Sequence, residues 1–419
     1  MPISQQELAR RLKVSRQTCG LTQQQVADRL ALPRTALTQI ELGKRAVSSV
    51  ELQQLAEFYG RDLAELLAED FEQEPVEALF RTHRDLADRS VLHQAVRSCV
   101  QLGRDLAELE ERLDRARDSD SLPSYQLDCP RTKWEAVEQG ARIAREERQR
   151  LGLGDAPILG LSDLLDSQGI QLALLSLPDD VSGLTLSLPK MDILVAINAN
   201  HSHERRRFSA AHEYAHALLD RNLEGTISRE CNRTDLSEVR ANSFAACFLM
   251  PGDGLKAQAR ALGKGYSGRR RVEIYDEIGP ISAESRSDAE SREWQLYDIV
   301  RLAHHFRTSR QTTLYRLLNL KLIPKADLDR LSALEARHGK RTAAFLGLAA
   351  TPAELEGAEF RNRFLALALE AWRREAITYA KLLGLAQQVG IEQAEIEQLI
   401  EDLGLPSESG EDAPMHPVF

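Results

Sequence analysis

Two histidines and a glutamate raise the first question of chemistry. His212-Glu213-Tyr214-Ala215-His216 has the form H-E-x-x-H. On a helix, residues four apart share a face one turn apart, so both imidazoles can reach one metal ion. Zinc at a catalytic site takes three protein ligands and keeps a fourth position for water. Glu213, beside the first ligand, is suited to take a proton from that water. Phe208, Ala211, Ala215, Leu218 and Leu219 recur at helical spacing and predict a helix buried on one side. Two surface histidines that fall four apart by accident are the bland reading of so short a motif. The apolar flanks argue against it, because buried imidazoles need partners.

A third ligand must come from elsewhere. The stretch from Asp235 to Leu249 carries Val239, Phe244, Phe248 and Leu249 at helical spacing and stops at Pro251-Gly252. Glu238 lies near its start. Asp235 and Glu238 also have capping-box spacing, so Glu238 either caps this helix or reaches a metal, and spacing leaves both open.

Taken together, His212-Glu213-x-x-His216, Glu238-x-x-Ala241-Asn242-x-Phe244-Ala245-Ala246 and Leu249-Met250-Pro251 resemble the ImmA/IrrE family of metallopeptidases. Arg207-Phe208-Ser209-x-Ala211 and the strand-like run Ile193 to Asn198 resemble that family's lead-in to its zinc helix. The resemblance covers roughly residues 133 to 325. It implies an α+β zincin-like domain with a small sheet, Zn2+ as cofactor, and Glu238 as the third ligand. One position departs from the pattern. Many members carry an acidic residue just before the Ala-Asn pair, and Arg240 stands here, which removes a competing ligand and changes the charge near the site. Leu302-Ala303-x-x-Phe306-x-x-Ser309 and Leu314 to Leu317 resemble the helix pair that follows the zinc helices. His304 and His305 lie there; adjacent helical residues point about 100° apart, so both are read as surface or satisfied histidines.

Across the whole chain, 419 residues with 42% hydrophobic and 28% charged content predict several soluble globular domains. No apolar run has the length of a membrane span. Met1 to Arg11 is polar and lacks a signal-peptide core. The five cysteines, at 19, 99, 129, 231 and 247, form no C-x-x-C and read as reduced thiols in a cytoplasm. The net charge of −10 is uneven: residues 1–60 carry +3 and residues 351–419 carry −8. Such a balance permits nucleic-acid contact at one end of the chain.

That basic end reads as short helices. Thr22 and Gln25 have capping-box spacing, Pro33 suits a helix start, and Gly43 suits a helix end. Two helices joined by a tight turn give a helix-turn-helix. Leu37 and Ile40 face its core, whereas Arg34, Thr35, Thr38 and Gln39 face outward. Arg34 suits guanine and Gln39 adenine, while Gln23, Lys44 and Arg45 suit phosphates. Leu21-Thr22-Gln23, Val26-Ala27, Ile40-Glu41-x-Gly43-Lys44-Arg45 and Leu55-Ala56 resemble the phage-repressor-like (XRE) DNA-binding domain. A small helical domain that binds protein instead is the alternative.

Between the two ends, Leu92, Cys99, Leu106 and Leu113 recur every seven residues, as do Ala95, Leu102, Leu109 and Ala116. Four heptads predict a dimerising coiled coil, which would set two DNA-reading helices on two half-sites. A helix packed within its own subunit, against Val76 to Leu86, is the alternative. Leu172–Leu175, Leu184–Leu188 and Ile193–Asn198 predict a small sheet half covered by helices. An edge strand there could pair with an extended peptide. Residues 263–292 are polar and read as a mobile insertion.

The expected protein is mostly α and multidomain. It has a helix-turn-helix domain over 1–72, a helical connector over 76–127 and the metallopeptidase domain over 133–325. A helical region over 326–405 and a flexible tail over 406–419 complete it. The expected activity is zinc-dependent endopeptidase, with metal ligands His212, His216 and Glu238 and the base Glu213. Its partners would be a double-stranded DNA operator, a protein substrate such as a repressor or toxin, and a second copy of the chain. A regulator or antitoxin with a structural or sensory zinc, repressing its own operon, is the competing class. H-E-x-x-H argues against a metal-dependent nuclease.

Overall fold

The structure is a computed structural model. It describes residues 3–18, 21–30, 32–59, 63–67, 90–115, 122–123, 125, 127–186, 193–220, 225–229, 233–264, 270–276, 279–285, 293–348 and 358–402. The proposed tail over 406–419 and the connector's first residues, 76–89, lie outside them.

The N-terminal unit holds α1 (Gln5–Thr18), α2 (Gln23–Arg29), α3 (Arg34–Glu41), α4 (Ser49–Tyr59) and α5 (Leu63–Leu67). Thr22 and Gln25 close the expected capping box on α2. Its core is Leu12, Val26, Leu37, Ile40, Leu55 and Tyr59. Glu41 is buried there, gripped by two Arg16 nitrogens at 2.5 and 3.0 Å. A charge in such a place needs pairing of this kind.

Next come α6 (Ser90–Arg112), α7 (Lys133–Arg150) and α8 (Leu161–Ser167). The mixed sheet follows, from β1 (Ile170–Leu175), β2 (Val181–Leu186), β3 (Ile193–Asn198) and β4 (Gly225–Arg229), with α9 (His203–Leu219) between β3 and β4. Its strand order is β1-β3-β2-β4, with β1 parallel to β3 and the other pairs antiparallel. β3 therefore runs through the middle and β4 forms an edge. After the sheet come α10 (Leu236–Leu249), α11 (Gly252–Ala261) and the hairpin β5 (Arg270–Asp276) and β6 (Gly279–Ser285). The helices α12 (Leu296–Phe306), α13 (Arg310–Asn319), α14 (Lys325–Phe345), α15 (Ala358–Arg373), α16 (Tyr379–Gln388) and α17 (Gln393–Asp402) complete the described residues.

Three expectations change. The sheet is covered on both faces. Leu172, Val195 and Ile197 face one core with Ala211, Tyr214 and Ala215 of α9. Ala173, Leu184, Leu186, Leu194 and Ala196 face another with α6, α15 and α16. Burial on both sides is why β1 and β3 are nearly continuous apolar runs. The heptad positions Cys99, Leu102, Leu106, Leu109 and Leu113 all lie in this second core, beside Phe364, Leu367, Ala368 and Leu385 of the same chain. The expected coiled-coil seam is thus closed within the chain, because an apolar stripe packs as well on a sheet as on a second copy. Burial of each leucine contributes roughly 1.5–3 kcal/mol. Finally, part of the expected mobile insertion is the hairpin β5–β6, with seven paired positions in register.

Candidate metal centre

The HExxH helix α9 starts at Ser202, whose hydroxyl accepts from the Arg205 backbone N–H. Arg207, with no exposed surface, ties the helix down by donating to the carbonyls of Ile158 at 2.7 Å and Arg307 at 3.1 Å. Tyr214 anchors its far side by donating to the Glu147 carboxylate. The same carboxylate accepts from Tyr125 at 2.7 Å and pairs with Arg150 at 2.6 Å. Burial alone would raise the Glu147 pKa, but the hydrogen bonds from Arg150, Tyr214 and Tyr125 hold it below the usual value.

α10 crosses behind this helix. Phe244 and Phe248 stack at 5.1 Å between ring centres and meet Tyr214 edge-on. Its other side lies close on α7 at Gly140, where an added Cβ would stand 2.2 Å from the Arg240 carbonyl oxygen. Asp235 is the N-cap residue of α10 but makes no side-chain cap bond. Glu238 therefore does not close a capping box; its carboxylate turns to the histidines.

There, one ligand atom each from His212, His216 and Glu238 lies within 4.8 Å of the others, and all three residues are buried. His212 Nε2 is 3.1 Å from His216 Nε2 and 3.1 Å from Glu238 Oε2. His216 Nε2 is 3.5 Å from Glu238 Oε1. Tetrahedral zinc with nitrogen ligands at 2.0–2.1 Å spaces its donors by roughly 3.3 Å, so the separations fit. The second partners fit too. His212 Nδ1 donates to Asn242 Oδ1 at 3.1 Å, and His216 Nδ1 donates to Asp220 Oδ2 at 2.7 Å. Such bonds fix the ring and leave the Nε2 lone pair for a metal. Asp220 is held in turn by Arg240 at 2.5 Å. The departure at position 240 thus acquires a place in the structure, buttressing Asp220, the partner of His216.

The electrostatics favour a cation. Burial opposes the charge on Glu238, yet hydrogen bonds from His212 and His216 hold its carboxyl down at about 2. Burial likewise opposes a charged His216, but Asp220 and Glu238 raise it to about 10. That proton and a metal compete for the same imidazole, so metal uptake would release a proton.

Glu213 is fully buried. Its Oε2 accepts from the Thr185 hydroxyl at 2.7 Å, while Oε1 is buried with no hydrogen-bond partner among the described residues. Gly183 makes room for it: an added Cβ would stand 2.9 Å from Oε1. A cleft of about 440 Å³ reaches the cluster, lined by His212, Glu238, Asn242, Ser228, Phe208 and Tyr315 among others. His304 and His305 stay outside the cluster, the first exposed and the second packed edge-on to Phe306.

In the N-terminal unit, Arg34, Thr35, Gln39 and Lys44 are exposed, and Thr38 and Arg45 are half-buried. Arg45 pairs with Glu51 at 2.7 Å. Gln23 serves the unit's own packing. It donates to Glu41 at 2.8 Å and accepts from Thr38 at 3.1 Å, joining α2 to α3.

Asn242, Asp220, Thr185 and Ser228 received no role from the sequence. Asp220 had one available signal, its place four residues after His216 on the same helix face. Thr185 and Ser228 are distant in sequence and had none.

A buried His-His-Glu cluster on two crossed helices beside a mixed sheet defines a metallopeptidase-like domain, and a helical unit, with five helices among the described residues, precedes it. Comparison with known families agrees. Residues 167–271 match the IrrE N-terminal-like domain, a peptidase family, and residues 7–68 match a helix-turn-helix domain. The chain joins an ImmA/IrrE-like domain to an N-terminal helix-turn-helix domain. No curated protein and no solved structure matches. Among the described residues, no helix is long and apolar enough to cross a membrane.

Proposed function

We propose that this protein is a cytoplasmic zinc-dependent endopeptidase fused to a sequence-specific DNA-binding domain, and that it cuts a regulatory protein such as a repressor. The observation that carries this reading is the convergence of His212, His216 and Glu238 with Glu213 adjacent. His212, His216 and Glu238 would hold the metal, which when bound supplies a polarising Lewis acid and a water nucleophile at neutral pH. Glu213 is the proton acceptor; Thr185 orients its carboxylate and leaves Oε1 free for a proton. Asn242 and Asp220 fix the ligand rings. β4, an edge strand among the described residues, is where an extended peptide would pair. On α3, Arg34, Thr35, Thr38 and Gln39 would read base edges, with Lys44 and Arg45 at phosphates.

A second reading is a regulator or antitoxin whose zinc is structural and which represses its own operon. The complete burial of Glu213 favours it, since a base must reach its substrate. One comparison decides. Glu213→Gln is nearly isosteric and should retain about one zinc per chain while lowering cleavage of neighbour-encoded proteins by about 100- to 10,000-fold. Cleavage equal to wild type removes Glu213 as the base. Cleavage by neither protein supports the second reading.

A further inference from the structure

A serine hydroxyl touches the cluster. Ser228 Oγ lies 3.1 Å from His212 Nε2, the same distance at which Glu238 Oε2 stands from that atom. Ser228 is only 4% exposed, yet it borders the cleft that leads to His212 and Glu238. Its place follows from the register of the sheet. β4 pairs with β2 so that Ser228 stands opposite Gly183. Paired residues in an antiparallel ladder point to the same face. The Gly183 face is the one turned to Glu213, because an added Cβ there would meet the Glu213 side chain. The ladder therefore aims the Ser228 hydroxyl at the zinc helix, and no side chain at 183 stands in its way.

We propose that Ser228 supplies the fourth donor of the metal centre and closes it at rest. The inference builds on the metal site proposed above and concerns its state. A group that only hydrogen-bonds to a metal-held water would stand beyond that water. Ser228 Oγ instead stands 3.1 Å from His212 Nε2, within the separation expected of two donors on one tetrahedral ion. Structural zinc sites are closed by four protein donors, and catalytic ones keep a position open. A serine hydroxyl is neutral and gives way more readily than a thiolate or a carboxylate. Rotation about one side-chain bond, between staggered wells, is enough to withdraw it. The centre is latent with Ser228 in place and open once the hydroxyl turns away. Because β4 is also an edge strand of the sheet among the described residues, a peptide pairing there would engage the strand that carries the latch.

The test uses the full chain loaded with cobalt(II), a coloured substitute for zinc, and azide as a probe that needs a free coordination position. About one cobalt per chain is expected in wild type and Ser228→Ala. Azide should bind Ser228→Ala about tenfold more tightly than wild type, since no protein donor has to be displaced. Equal azide affinity at equal cobalt content overturns the proposal and leaves the metal site standing. If Ser228→Ala does not fold, by circular dichroism, Ser228→Cys decides instead. A thiolate-to-cobalt charge-transfer band supports coordination from position 228, and its absence at full loading overturns it. A folded wild-type chain that holds neither cobalt nor zinc overturns the metal centre itself, and the role of Ser228 with it.

Discussion

Glu213 owes its position to two neighbours that carry no charge. Thr185 donates to one carboxylate oxygen, and Gly183 leaves the space that the other occupies. Gly183→Ala would set a methyl group 2.9 Å from Oε1 and 3.0 Å from Cγ. The carboxylate must then move, so this variant should keep its metal and lose most of its cleavage, as checked by elemental analysis beside a proteolysis assay. Glu147 offers a test by pH. Its folded pKa is depressed, so its contribution to stability is present above the unfolded value and is lost as pH falls through the folded one. Thermal melts from pH 7 down to about 3 should show wild type losing stability faster than Glu147→Gln in the acid range. At neutral pH the variant should be the less stable, because Arg150 loses its charged partner.

At the level of elements, the site depends on how closely α10 lies on α7. Gly140 sits at that crossing, where an added Cβ would overlap the Arg240 carbonyl oxygen and approach the Phe244 nitrogen. Backbone atoms cannot swing aside as a side-chain tip can. Gly140→Ala should therefore destabilise by about 1–3 kcal/mol. It should also weaken metal binding, since α10 carries Glu238, Arg240 and Asn242 on the turns that would shift. Chemical denaturation and metal titration measure the two effects separately. Unchanged metal affinity in a destabilised variant would show that the strain is absorbed by α7.

At the scale of the molecule, α6 has become part of the sheet's second layer. Its leucines lie with Phe364, Ala368 and Leu385 against Leu184, Leu194 and Ala196. Polar contacts reinforce the layer: buried Asp105 accepts from Lys381 at 2.6 Å and from Gln388 at 2.8 Å, and Arg363 pairs with Glu110 of α6 and Asp166 of α8. Replacing Leu102, Leu106 and Leu109 together by charged residues should therefore unfold this layer. A lowered melting temperature and loss of metal are expected, whereas a dimer seam on α6 would give folded, metal-loaded monomers. Sedimentation and calorimetry on the triple variant distinguish the two. A palindromic operator would still call for two copies, joined through some other surface.

What the sequence determined by itself was local. The helix bearing His212 and His216, the capping box at Thr22 and the stop of α3 at Gly43 depend on residues within about one or two turns of each other. Spacing is enough to read those. Both domains were legible for the same reason, since their motifs lie on short, continuous stretches. The polar, five-residue β4 gave no strand signal, and with it Ser228 stayed hidden. Other features turned on which distant surfaces meet. The heptads of α6 declared a buried stripe, but hydrophobic burial has no direction and does not name its partner. Glu238 was poised between cap and ligand until the helix crossing set its carboxylate beside two imidazoles. Thr185 and Ser228 take their places from the packing of β2 and β4 around α9, and Arg240 takes its own from α10. Only the tertiary structure could decide these, because a hydrogen bond or a coordination shell is set by distances between segments, and those distances follow from the packing of the whole core.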